Sequence, residues 1–176
     1  RQWERLSKLP GGKTLFSIVL GRMAPYTGTI GARVLELERG YAKVELRDRR
    51  AVRNHLNSIH AIALMNLGEI STGLAVLSAM PDDARGIVKA LAMDYHKKAR
   101  GTLVAECRSD IEVGRERREY VVEGTIRDTS GDLVATARAT WLVGPQTSEP
   151  SRSSASGTSA STSGSTSGTS GSGDDR

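Results

Sequence analysis

The spacing of apolar residues changes period several times along this chain, and each change marks an element. Residues 2–9 suit one or two helical turns, ended by Pro10-Gly11-Gly12. Leu15, Phe16, Val19, Leu20 and Met23 then recur at helical spacing, a stripe that Ala24-Pro25-Tyr26 stops. From Thr29 the period drops to two. TIGARVLELE and YAKVELR read as strands joined by a hairpin at Arg39-Gly40. In the second, Ala42, Val44 and Leu46 face one way and Lys43, Glu45 and Arg47 the other, the pattern of a half-buried antiparallel strand.

Between Val52 and Met80 the alternation stops. This stretch, VRNHLNSIHAIALMNLGEISTGLAVLSAM, opens with polar, turn-prone residues and continues as a long apolar run. A helix apolar on every side belongs inside a core. One full charge, Glu69, lies near its middle, and an unpaired buried carboxylate needs a partner, water, a raised pKa or a task.

Pro81-Asp82-Asp83 ends that helix, and four candidate strands follow. The first is Ile87–His96, with Ile87, Leu91, Met93 and Tyr95 on one face. The second alternates through Leu103, Ala105, Cys107, Ser109 and Ile111, and the third through Tyr120, Val122, Gly124 and Ile126. After the Asp128–Asp132 turn, Leu133, Ala135, Ala137, Ala139, Trp141 and Val143 are in register. The small residues of this last strand suit a helix lying close across a sheet. The order predicts an α+β fold, an antiparallel sheet curled around one central helix. Residues 1–24 form a helical segment, 25–145 the main domain, and 146–176 a Ser/Gly/Thr-rich tail expected to be disordered.

The formal charge of +5 raises nucleic acid as a partner, but aromatics are only 4% and basic residues are interleaved with acidic ones, as in GRERREY. With no helix-turn-helix or zinc pattern, the expectation is no nucleic acid. A phosphate-bearing small ligand such as coenzyme A uses the same charge more economically. His55, His60 and His96 are the only histidines and Cys107 the only cysteine, so no metal set is expected. Gly11-Gly12-Lys13 lacks the rest of a phosphate loop. A single cysteine and a start without an apolar signal core predict a cytoplasmic protein. Ala61–Met80 is long enough to span a bilayer, but Asn66 and Glu69 make insertion poor, so no membrane is expected.

The arrangement resembles the hotdog fold, and the local sequence resembles the acyl-CoA thioesterases of that superfamily. Their motif runs Asn-x-x-Gly-x-x-His-Gly-Gly, with a carboxylate after a Leu on the following helix. Here Asn54, His60, Leu67 and Glu69 hold those spacings. The run SIHAIALMNLGEISTGLAVL, with KKARGTLVAEC downstream, is most similar to a bacterial branch whose members mostly lack an assigned substrate. The likeness covers about residues 25–143. Three departures stand out. Asn57 replaces the first Gly, Ala61-Ile62 replace the Gly pair, and Val88 stands near where some members carry a Ser or Thr.

The resemblance implies a thioester hydrolase without a metal or cofactor, the coenzyme A being part of the substrate. Glu69 would be general base or nucleophile, Ala61 N–H an oxyanion donor, and Asn54 and His60 would orient the thioester. Lys97, Lys98 and Arg100 suit coenzyme A phosphates, or equally a solvated basic turn. Ala61 and Glu69 lie ~12 Å apart along one helix at about 1.5 Å per residue, too far to share one carbonyl. The family meets this by pairing subunits, which implies at least a homodimer. Read alone, His60 merely assists a Ser58 or Asn57 helix cap, and Glu69 is satisfied by Asn66, Thr72 or backbone. Two other functions fit the same fold: a non-catalytic binder of acyl-CoA or acyl-carrier thioesters, and a 3-hydroxyacyl-thioester dehydratase.

Overall fold

Six antiparallel strands form one sheet in the order β1-β2-β4-β5-β6-β3. The computed structural model describes residues 2–114 and 116–146, so the tail expected over 146–176 lies outside the described residues apart from Gln146. The strands are β1 (Arg33–Glu38), β2 (Tyr41–Leu46), β3 (Ala84–Tyr95), β4 (Leu103–Arg108), β5 (Arg118–Asp128) and β6 (Leu133–Pro145). Helices α1 (Gln2–Leu6), α2 (Gly12–Met23) and α3 (Pro25–Gly28) precede them, and α4 (Ala61–Ala79) joins β2 to β3. The first helix is shorter than predicted, and β1 begins after Gly31, whose φ of 61° breaks the extended run from Thr29. Strand β4 ends at Arg108, short of the Ile111 that alternation suggested.

Helix α4 lies across the concave face of the sheet. Leu67, Ser71, Thr72, Ala75 and Val76 are fully buried against inward residues such as Leu46, Leu103, Ile126 and Ala139. Replacing Leu67 by Ala would cost about 2–5 kcal/mol. The close approach depends on small residues from both sides. A methyl group on Gly68 would meet Ala137 Cβ at 2.6 Å, so the alanine-rich inner face of β6 admits the helix as its pattern suggested. Although α4 has the length and hydropathy of a membrane span, the sheet encloses most of it.

The two sheet edges differ. Along β1, Ser17 Oγ of α2 accepts Val34 N–H at 2.9 Å and Lys13 Nζ donates to Leu35 O at 2.7 Å. Helix α2 therefore covers that edge, one of the ways a sheet avoids unwanted pairing. Among the described residues strand β3 has no neighbour on its outer side. A bulge between Val88 and Ala90 also turns its register, so Leu91, Met93 and Tyr95 face α4 while Ile87 faces out. This corrects the predicted single face: simple alternation carries no sign of a bulge.

Candidate active site

The site starts with a tight loop. Asn54 Oδ1 accepts Leu56 N–H at 2.9 Å and both Ser58 N–H and Ser58 Oγ–H at 3.2 Å. Asn57 between them has φ 53°, the left-handed backbone that Asn tolerates better than other side chains. The replacement of a family glycine at this position is thus accommodated. Ile59 N–H reaches Ala99 O and His60 N–H reaches Val52 O, each at 2.8 Å, so the loop is held between two neighbouring segments.

His60, not Ser58 or Asn57, is the N-cap of α4. Its Nδ1 accepts Ile62 N–H at 3.1 Å. Ser58 has the stronger capping propensity, but it is buried and engaged with Asn54. An imidazole that accepts through Nδ1 carries its proton on Nε2 when neutral, so His60 retains one donor on its exposed side. Ala61 N–H has no partner among the described residues. The structure therefore places two open donors, at Ala61 and His60, at the positive end of a long helix.

Tyr95, which the sequence reading placed only on a strand face, adds to this corner. Its hydroxyl donates to Ala61 O at 3.1 Å, tying the end of β3 to the first turn of α4, and burial raises its pKa. The basic turn after β3 adjoins the same corner, because Ala99 O holds Ile59 N–H. Its three cations differ. Lys97 Nζ already binds Asp128 at 2.7 Å and Asp132 at 2.5 Å, bracing the β5–β6 turn. Arg100 lies in the field of Asp48, whose carboxylate takes Arg53 Nε at 2.6 Å and Gly101 N–H at 2.9 Å. The Arg53 hydrogen bond chiefly holds Asp48 below the usual carboxylate range. Lys98 is exposed.

Glu69 is two turns further along α4 and joins none of these groups. The partners proposed for it are taken: Asn66 Nδ2 donates to Tyr26 O at 3.3 Å, and Thr72 Oγ1 donates to Gly68 O at 2.9 Å and Glu69 O at 3.2 Å. No hydrogen bond or ion pair reaches the Glu69 carboxylate among the described residues. Burial alone raises its pKa. Beside it lies Gly73, where a methyl group would approach Glu69 Oε1 at 3.7 Å and Trp141 Cζ2 at 3.3 Å. Trp141 is buried, and its Nε1–H also lacks a partner. A buried donor left unpaired costs about 1–3 kcal/mol. A half-buried acid beside an unpaired indole donor is a place for a water or a substrate oxygen. Among the described residues no cluster of His, Cys, Asp and Glu is arranged to hold a metal.

A curved sheet around one helix, with an acid on that helix and an amide at its start, defines a hotdog protein of the thioesterase superfamily. Residues 12–143 match a family model described as a domain of unknown function, DUF4442, and the chain belongs to that family. No curated protein matches it. It is similar to a Pseudomonas aeruginosa protein of unknown function named a "Probable Thioesterase", with 26% identity and a TM-score of 0.68 over 78% of this chain and 97% of that one. A conserved protein from the same organism is 27% identical, with a TM-score of 0.60 over 67% and 92% of the two chains. A Haemophilus influenzae thioesterase, 15% identical with a TM-score of 0.62 over 70% and 87%, shares the fold.

Proposed function

We propose that the chain is an acyl-CoA thioesterase that works as a homodimer. The observation that carries this reading is the Glu69 carboxylate, half-buried and without a partner among the described residues, on the central helix of a hotdog fold. A structural carboxylate at such a position would be paired. An unpaired one with a raised pKa is suited to exchanging a proton with water.

In the proposed reaction the thioester carbonyl accepts hydrogen bonds from Ala61 N–H and His60 Nε2–H. Negative charge grows on that oxygen as a nucleophile adds, and the helix terminus favours it. Glu69 takes a proton from water as the new C–O bond forms. The tetrahedral adduct then expels the coenzyme A sulfur, which leaves with that proton as a thiol. Direct attack by the Glu69 carboxylate, giving an anhydride that water opens, uses the same atoms. Asn54 holds the loop that aims the Ala61 amide. Lys98 and Arg100, on the turn that adjoins this corner, form no ion pair among the described residues, and they are proposed for the coenzyme A phosphates.

Ala61 and Glu69 of one chain lie ~12 Å apart on the helix, so one carbonyl cannot meet both. The uncovered edge of β3 offers the solution. Leu91 and Tyr95 are 37% and 48% exposed there although they face the core side of the sheet. A second copy paired along this edge would cover them and bring its own helix alongside. The reading is tested by free-thiol release from a panel of acyl-CoAs, comparing wild type with Glu69→Ala. Turnover in wild type that is lost in the variant, with acyl-CoA binding retained, supports it. Binding without turnover in wild type would instead make the protein a thioester-binding module, and water loss from a 3-hydroxyacyl thioester would make it a dehydratase.

A further inference from the structure

One cavity is lined by neither Glu69 nor Trp141. It lies between α2–α3 and strands β1 and β2, has a volume of about 920 Å³, and ends on Ile70 of α4. That size is at the upper end of small-ligand sites. Ile70 follows Glu69 by about 100° of helix turn, so the cavity opens on a different flank of α4 from the carboxylate. Its walls are of two kinds. Ile18, Leu20 and Pro25 supply accessible apolar surface over a buried floor, and Arg22, Arg33 and Glu45 add charge.

The arginines distinguish this cavity from an ordinary packing gap. A third, Arg47, is paired with Glu45 at 3.0 Å. Neither Arg22 nor Arg33 has an acidic partner among the described residues, and Arg33 Nε is buried without any hydrogen-bond acceptor. A guanidinium has only donors, and it matches the two oxygens of a carboxylate bidentately. An apolar chamber with unpaired guanidinium groups calls for a ligand with a long apolar body and one anionic end.

We propose that this cavity is a binding site for a long-chain fatty acid, its alkyl chain running over Ile18 and Leu20 and its carboxylate held by Arg22 and Arg33. The site is separate from the proposed hydrolytic centre and does not require it. A fatty acid held there would brace α2 and α3 against β1, the edge that α2 covers.

The test is calorimetric titration of the full chain with saturated fatty acids of eight to sixteen carbons. Affinity should rise on the order of tenfold for each two methylenes added, as expected for burial of the alkyl chain. Arg22→Gln with Arg33→Gln should weaken binding by at least about tenfold, the effect of losing one charge-assisted contact. Ala32 also lines the cavity, and Ala32→Phe, which narrows it, should weaken binding. Glu69→Ala should bind as wild type does, which keeps this outcome apart from the hydrolase reading. An alkyltrimethylammonium of equal length should not bind. Absence of fatty-acid binding would overturn the proposal. So would equal binding of the cationic amphiphile, or binding that Glu69→Ala removes while the arginine variant retains it. If Ala32→Phe fails to fold, the exposed Arg22→Gln and the Arg33→Gln changes decide the matter alone.

Discussion

Glu69 and Trp141 both approach the same glycine, Gly73: a methyl group there would lie 3.7 Å from Glu69 Oε1 and 3.3 Å from Trp141 Cζ2. The acid comes from the central helix and the indole from the last strand, and the missing side chain at Gly73 leaves the space between them open. Both polar groups lack partners among the described residues. A fold that tolerates two such groups side by side stores a cost that a bound water or substrate oxygen would relieve.

The first prediction concerns pH. Burial raises the Glu69 pKa, so the folded state binds its proton more tightly than the unfolded chain does. Between the two pKa values the native state carries more protons, and stability falls as pH rises through that window. Glu69→Gln should therefore raise the melting temperature at pH 7, and the gain should vanish in acid below the unfolded carboxyl pKa. Turnover requires the ionised form, so kcat/KM should rise through the same window while stability falls. Thermal melts and rate profiles across pH 3.5–8 check both, and Glu69→Gln should lower kcat about 10²–10⁴-fold. A stability gain that persists unchanged at low pH would contradict the assignment.

The second concerns Asn54, whose side-chain oxygen accepts from three donors. Asn54→Ala strands a buried serine hydroxyl and should cost about 1–3 kcal/mol in urea unfolding. Asn54→Asp retains the acceptor and adds charge near the start of α4, where the helix favours it. It should recover most of that stability. If Asp is as damaging as Ala, the oxygen is not what holds the loop.

What the sequence made legible was the part that repeats. Alternation marked every strand, and unbroken hydropathy marked α4. The alanines at 135, 137 and 139 already implied a helix pressed against β6. What it hid was set by contacts between distant positions. His60 became the N-cap because Ser58 was drawn into the Asn54 network, a competition that capping preference alone does not describe. The bulge after Val88 moved Ile87 to the outer face without any change in composition. Trp141 looked like one more core residue until its indole met the Glu69 turn.

The third prediction tests that helix–sheet contact. Gly68→Ala places a methyl group 2.6 Å from Ala137 Cβ and 2.8 Å from Met93 Cε. The methionine end can move, but the alanine is fixed to the middle of β6. Overpacking of this kind costs about 1–3 kcal/mol, against a gain of up to about 1 kcal/mol from replacing glycine within a helix. A net loss of stability is expected in chemical denaturation. Pairing it with Ala137→Gly should recover part of the loss, which a purely local effect at position 68 would not allow.

The fourth decides whether two chains build one site. Ala61 is the first residue of α4, where proline is well tolerated, and His60 before it is extended at ψ 141° as a pre-proline residue must be. Ala61→Pro should therefore fold normally while removing the N–H proposed to bind the oxyanion. Losing one such donor is worth about 10²–10³ in kcat. Glu69→Ala should be inactive for a different reason. If loop and acid come from different subunits, unfolding and refolding the two variants together produces mixed dimers with one intact site each. Random pairing then returns about a quarter of wild-type turnover. If both groups act within one chain, the mixture stays as inactive as its components, because no subunit in it holds both.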